Sequence, residues 1–242
     1  MYETTFKRLI DVVLAAIMLL FSSPVFVLVA LLIKLESRGP AIFKQQRTGK
    51  DLKPFFIYKF RSMTIDTPSE MPTNDFKDSY SYITKFGKVM RKLGLDELPQ
   101  LINILKGEMS FVGPRPVILS ETKLIAERQK YKANGCVPGI TGWAQANGRD
   151  TVSIAEKARM DGEYAQHFGL RMDISCVIRT VVVLFNSHGY SEGSLDHDEY
   201  RRLVKETTRK RPVSERFMNR LKYLQKKYGY TSQKTSKKRS RV

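Results

Sequence analysis

Residues 91–116 read RKLGLDELPQLINILKGEMSFVGPRP: an acidic pair, a short amphipathic helix and a rigid loop. Leu98, Leu101, Ile102 and Leu105 follow the i, i+3, i+4, i+7 spacing of one buried helix face. Pro99 suits a first helical turn, where its missing N–H costs nothing. Gly107 is placed to end the helix. Asp96 and Glu97 are therefore expected at the N-cap, beside unpaired N–H groups and the positive end of the helix dipole. Both effects favour an ionised carboxylate. Such an Asp either caps the helix or acts as a nucleophile, a base or a ligand for a hard cation. Taken alone, the stretch favours the cap.

The other decisive segment is the apolar run from Val12 to Ile33, VVLAAIMLLFSSPVFVLVALLI. As a helix it is long enough to cross a hydrocarbon core of about 30 Å. It lacks a small-x-small cleavage site and continues into Lys34-Leu35-Glu36, unlike a signal peptide. Ser22-Ser23-Pro24 interrupts its middle. The proline removes one helical hydrogen bond, and the neighbouring serines can satisfy the freed carbonyls. Lys7 and Arg8 precede the run, and Lys34, Arg38, Lys44 and Arg47 follow it. A spanning helix prefers one basic flank. Two flanks suit a helix broken at Ser23-Pro24 that dips into one leaflet and returns, with a kinked spanning helix as the alternative.

The net charge of the 242-residue chain is +18, unevenly spread. Residues 201–242 hold 16 Lys and Arg against Glu206 and Glu215, leaving +4 on the first 200 residues. Ser214 can cap a helix with Phe217, Leu221, Leu224 and Tyr228 on one face and basic residues elsewhere. The final TSQKTSKKRSRV is too polar to pack and is expected to be disordered. A basic amphipathic helix suits an anionic lipid surface or nucleic acid. The apolar anchor makes lipid the simpler partner, and no nucleic acid is expected. Cys136 and Cys176 are far apart and form no CxxC pattern, which fits a reducing compartment without structural zinc.

The pattern predicts an α+β fold, mainly helical with a small sheet, behind an N-terminal membrane hairpin. Its expected parts are a membrane helix over 1–36, a catalytic domain over 37–200 and a basic tail over 201–242. Residues 41–43 and 55–60 read as strands around a Thr48-Gly49 turn. Residues 64–82 read as a loop. Helices are expected near 83–92, 97–106, 120–133, 153–168 and 173–186, the fourth opened by a Ser153–Glu156 capping box.

Lys59 and Arg61 end the second strand in YKFRSM and share a face if the alternation holds. Arg115 is braced by Pro114 and Pro116, which reduces the entropy lost on binding. Arg149 closes the glycine-rich GITGWAQANGR, where the backbone can approach a ligand. Arginine forks suit phosphate. Each cation alone reads as a surface ion-pair partner; with an ionised Asp-Glu pair they suggest phosphates and a divalent metal. Trp143 suits base stacking, a membrane interface or the core. Asp196-His197-Asp198-Glu199 reads as a solvated loop, and no Walker A loop, GxSxG or HExxH occurs.

Residues Phe6 to Gly193 resemble the small monotopic phosphoglycosyltransferases, the bacterial sugar transferases that start lipid-linked glycan assembly. The resemblance rests on Lys7-Arg8-x-x-Asp11, Ser23-Pro24, Gly39-Pro40-x-x-Phe43-x-Gln45-x-Arg47-x-Gly49 and Lys59-Phe60-Arg61-Ser62-Met63. LDELPQLINILKGEMSFVGPRP and PGITGWAQANGR complete it. It implies a re-entrant helix with both ends on the cytoplasmic face of the bacterial inner membrane. It also implies a Mg²⁺-dependent transfer of sugar 1-phosphate from a UDP-sugar to polyprenyl (undecaprenyl) phosphate. Asp96 would be the nucleophile that carries the phosphosugar while UMP leaves. Glu97 would be its partner in metal binding or proton handling, and Lys59, Arg61, Arg91, Arg115 and Arg149 would hold phosphates.

The chain departs from that pattern at Gly94, often Ser or Thr in the family, at Glu108, often Asp, and at Val137, commonly basic. The family says nothing of the tail, the sugar or whether the chain forms a homo-oligomer. The rival reading is a membrane-anchored, non-enzymatic protein whose basic tail binds nucleic acid or another partner. It leaves the acidic pair and the rigid Arg loops without a purpose.

Overall fold

In a computed structural model, residues 5–67, 79–147, 152–185 and 214–228 are described. The apolar run forms α1, Lys7–Glu36. Among the described residues it is the one helix with the length and hydropathy to cross a bilayer. The expected break at Ser23-Pro24 does not end it, because the helix runs through Pro24. Pro24 lacks the N–H that would reach the Leu20 carbonyl. The Ser23 hydroxyl donates to that carbonyl instead, at 2.8 Å, and Ser22 donates to Met18 O at 2.6 Å. Ser23 thus satisfies the carbonyl that the proline leaves open, and Ser22 adds a side-chain bond in the preceding turn.

α1 lies against the rest of the chain towards its two ends, and its middle around Pro24 is largely exposed. Lys7, Asp11, Ala15, Val29 and Ile33 are buried, while Leu20, Phe21 and Val27 on other faces are exposed. The flanking cations are committed to the domain, contrary to the reading of Lys7 and Arg8 as a plain basic flank. Lys7 pairs with Asp173 at 2.5 Å inside the protein. Arg8 donates to the carbonyls of Ile104 and Leu105. Asp11 accepts from the Phe111 N–H at 3.2 Å.

The expected hairpin forms as β1, Ile42–Thr48, antiparallel to β2, Pro54–Phe60, with Ile42 opposite Phe60 and Thr48 opposite Pro54. Next come α2, Lys85–Leu93, and α3, Gln100–Lys106. Gly107 stops α3 at φ 83°, a left-handed conformation that favours glycine. Two short strands were not evident in the sequence. They are β3, Ser110–Val112, and β4, Gly139–Thr141, which pair in parallel with α4, Thr122–Lys130, between them. Three residues each give no usable period.

The chain continues through α5, Trp143–Asn147, α6, Ile154–Gln166, and α7, Leu170–Phe185. The Ser153 hydroxyl caps α6 by accepting from Glu156 N. Trp143 belongs to the packing: its indole N–H donates to Glu163 at 2.8 Å and Arg179 lies over its ring.

The basic helix is α8, Glu215–Lys227, capped by Ser214 as expected. Its apolar face is docked on the domain. Leu221 is buried with Leu52, Val117, Leu119 and Ile125, flanked by Phe217 and Leu224. Gln225 donates to Leu119 O at 3.1 Å. The apolar side of α8 is therefore spent on the core, and its Lys and Arg face outward. Residues 68–78, the tail from 229 and the segment with Asp196 and His197 lie outside the described residues.

Candidate active site

α2 ends at Gly94, whose φ of 68° turns the chain into a single 3-10 turn, Leu95–Glu97. Asp96 and Glu97 sit in this turn. α3 begins only at Gln100, with Pro99 as its N-cap residue. The dyad therefore precedes the helix and does not cap it, and no described side chain or N–H hydrogen-bonds the Asp96 carboxylate. The buried face also differs from the expected one. Gln100, Leu101, Asn103 and Ile104 point inward, while Ile102 and Leu105 remain partly exposed. The neighbours of α3, namely α1 and β2, set that face, and local periodicity does not reveal them.

The two carboxylates have opposite electrostatic situations. Asp96 is 8 % exposed. Burial pushes its pKa up, against the pull of Lys59, with Glu97's charge raising it further and Arg91 and Arg115 lowering it. The expected stabilisation of its charge by a helix end is absent, because the N–H donors are not there. Burial acts on Glu97 in the same direction, but Lys59, Arg115 and a hydrogen bond from Gln100 overcome it and hold the pKa at about 2. Lys59 Nζ lies 2.6 Å from Glu97 Oε1 and Arg115 lies 3.6 Å from the same oxygen.

Three of the five expected phosphate-binding cations surround the pair. Lys59 and Arg115 contact Glu97, and Arg91, in the last turn of α2, acts on Asp96. Arg91 is aimed by Ser62, which accepts from its Nε at 3.0 Å. Arg61 is not among them. β2 ends at Phe60, so strand alternation no longer governs Arg61. Its buried guanidinium donates to Arg38 O at 2.7 Å and to Ser37 O at 2.8 Å, which ties down the end of α1. Arg149 lies outside the described residues.

The sequence model of the bacterial sugar transferases matches residues 2–187. The chain belongs to the bacterial sugar transferase family. It is 38 % identical over 186 residues to the Uncharacterized sugar transferase EpsL of Bacillus subtilis (strain 168), covering 77 % of this chain and 90 % of that protein. It is 42 % identical over 187 residues to the UDP-glucose:undecaprenyl-phosphate glucose-1-phosphate transferase of Escherichia coli (strain K12), covering 72 % of this chain and 39 % of that protein. It is 36 % identical over 198 residues to the Exopolysaccharide production protein ExoY of Rhizobium meliloti (strain 1021), covering 76 % and 87 %. α8 lies beyond the matched segment of the family.

Several residues that build this candidate site were not singled out from the sequence. Asn103 is fully buried and accepts from Tyr58 N at 3.0 Å. It also donates to Phe56 O and to Glu108, each at 2.7 Å. It fixes α3 against the free edge of β2, and Glu108 orients it. Arg128 pairs with Asp161 at 2.6 Å and donates to Arg115 O at 3.0 Å, so a buried ion pair supports the Arg115 loop. An Asn on an apolar helix face was the available signal for the first. The second joins helices 33 residues apart and leaves no local pattern.

Two carboxylates are few for a metal site, and no group of three His, Cys, Asp or Glu forms among the described residues. Mg²⁺ fits such a pair, since it takes one or two carboxylates and completes its shell with water and substrate phosphates.

The opposite shifts predict opposite effects on stability, measurable by thermal unfolding in EDTA. The folded state lowers the Glu97 pKa, so its contribution is complete above about pH 4.5 and is lost as pH falls towards 2. Glu97→Gln should remove that part of the acid loss. The folded state raises the Asp96 pKa, so its ionisation costs stability as pH rises. Asp96→Asn should raise the Tm at pH 7.

Proposed function

We propose that the chain transfers sugar 1-phosphate from a UDP-sugar to polyprenyl (undecaprenyl) phosphate through a covalent phosphosugar on Asp96. The observation that carries this reading is a buried carboxylate, without a hydrogen-bond donor among the described residues and ringed by Lys59, Arg91 and Arg115. The names of relatives such as the Escherichia coli transferase support the two substrates. In the first step an Asp96 oxygen attacks the sugar-proximal phosphorus. The bond from that phosphorus to the bridging oxygen breaks, and UMP leaves with the electron pair. In the second, an oxygen of polyprenyl phosphate attacks the same phosphorus and Asp96 departs as a carboxylate. The products are polyprenyl diphosphate sugar and unmodified protein.

Phosphoryl transfer depends on positioning and charge neutralisation more than on acid–base groups. Lys59, Arg91 and Arg115 supply fixed positive charge for the diphosphate. Asp96 and Glu97 are the residues that would hold Mg²⁺, which supplies neutralisation of the developing phosphate charge. The raised pKa of Asp96 fits a nucleophile whose charge is not already spent on donors. Lys59, held on Glu97, is placed to turn to phosphate as the diphosphate enters.

For the membrane, we propose that α1 lies in the cytoplasmic leaflet and returns to the side it entered. Lys7, Arg8 and Asp11 bind its start to the domain, and Arg61 and the Phe86 N–H bind its end through Ser37, Arg38 and Glu36. A helix attached to one domain at both ends favours one-sided insertion over crossing. The outward basic face of α8 suits the anionic headgroups of the same surface. The rival non-enzymatic reading has no use for the site and is not favoured by family membership.

The test is UMP release from a panel of UDP-sugars with polyprenyl phosphate and Mg²⁺. At least one sugar should release UMP, and EDTA should stop it. No release with any sugar in lipid vesicles would contradict the reading.

A further inference from the structure

A cavity of about 240 Å³ opens between the start of α1 and α7. Ile10 and Leu14 form one wall, Ile174, Val177 and Ile178 the other, and Phe111 and Val112 the floor. The polar groups at its edge are already paired. Lys7 holds Asp173, Tyr164 donates to Asp173 at 2.8 Å, and Asp11 holds the Phe111 N–H. With its charges satisfied, the cavity offers an occupant apolar contact alone, which selects hydrocarbon.

Its rim continues outward in the same chemistry. α7 reverses the usual pattern of a surface helix. Asp173 and Cys176 face inward, while Leu170, Ile174, Val177, Ile178, Val181 and Val182 form an exposed apolar stripe. On α1, whose Ile10 and Leu14 face α7 across the cavity, Leu9, Val13 and Ile17 are also exposed. The groove therefore opens within the apolar surface proposed to face the lipid. Its floor leads to the site along the chain, since Val112 is followed by Gly113, Pro114 and Arg115, the residue that contacts Glu97. α3 separates Arg8, at one end, from Glu97, just before the other, by about 10 Å of helix. An isoprenoid phosphate engaged at Asp96 would reach the groove within its first few isoprene units.

Resting on the proposed function, we infer that the α1–α7 groove seats the isoprenoid chain of the polyprenyl phosphate acceptor. Proximity to the carboxylates favours this chain over bulk acyl chains, which have no reason to end at the site.

Ile174→Trp and, separately, Val177→Trp fill the groove from half-exposed positions that a folded protein tolerates. Each is assayed in vesicles with undecaprenyl phosphate and with a phosphate bearing two isoprene units. The expected result is a KM for the long acceptor raised at least fivefold in both variants. The short acceptor and the single-turnover release of UMP without acceptor should be unchanged, and the latter also reports that the site is folded. Equal effects on both acceptors, or none on either, would overturn the assignment. So would weaker vesicle binding with an unchanged long-acceptor KM, because the groove would then hold bulk lipid. Absence of UMP release from the unaltered protein would instead defeat the proposed function itself.

Discussion

Asp96→Asn is expected to lower kcat/KM for sugar-phosphate transfer by about a thousandfold or more, the scale of losing a covalent nucleophile. The substitution preserves shape and removes only charge. It also removes the cost of burying that charge, so the inactive variant should unfold at a higher temperature than the parent at pH 7. Loss of activity joined to gain of stability separates a nucleophile from a structural Asp, whose replacement would lower both. Glu97→Gln should behave differently. It removes the charge that Lys59 and Arg115 contact, so it should destabilise the protein while impairing transfer. Retention of a tenth of the activity in Asp96→Asn, measured as UMP release, would exclude Asp96 as the attacking group.

Asp173→Ala should destabilise the fold by about 3–5 kcal/mol, because it leaves Lys7 as a buried cation without its partner. Both side chains are more than nine-tenths buried, and the same carboxylate accepts the Tyr164 hydroxyl. Burial, the largest cause of the raised Tyr164 pKa, persists in the variant, so the tyrosine stays neutral and does not replace the lost anion. Removing both charges is a different perturbation. Lys7→Met with Asp173→Leu should recover most of the lost stability, since an apolar pair of similar volume has no unpaired charge. Thermal or denaturant unfolding of the two variants in detergent checks the difference. A single variant as stable as the parent would show that Lys7 escapes to solvent and that the pair does not fasten α1 to α7.

The same pair illustrates what was legible in the sequence. The apolar run, the β1–β2 hairpin and the helices capped by Ser153 and Ser214 follow from local pattern, and each is present. Ser22 and Ser23 were expected to satisfy carbonyls freed by Pro24; Ser23 does so at Leu20, Ser22 bonds Met18 instead, and the helix continues. Failures occur where a competing turn or a distant partner decides. The cap expected for Asp96 required α3 to begin three residues early. Gly94 and Pro99 instead fix a separate 3-10 turn, and burial then reverses the expected pKa direction. Arg61 has the residue type and neighbourhood of a phosphate ligand, but the end of α1 claims it. Lys7 and Arg8 read as a membrane flank because Asp173 and the end of α3 are invisible from residue 7. The amphipathic face of α8 was legible, but its occupant, the core around Leu119, was not.

The central claim is a phosphosugar bound to Asp96, and intact-protein mass spectrometry tests it most directly. Protein treated with its UDP-sugar and Mg²⁺ in the absence of acceptor should gain the mass of one sugar 1-phosphate less water. Peptide mapping should place that gain on Asp96, and polyprenyl phosphate should discharge it. UMP release that requires the acceptor, with no mass gained by the protein before it is added, would contradict the account.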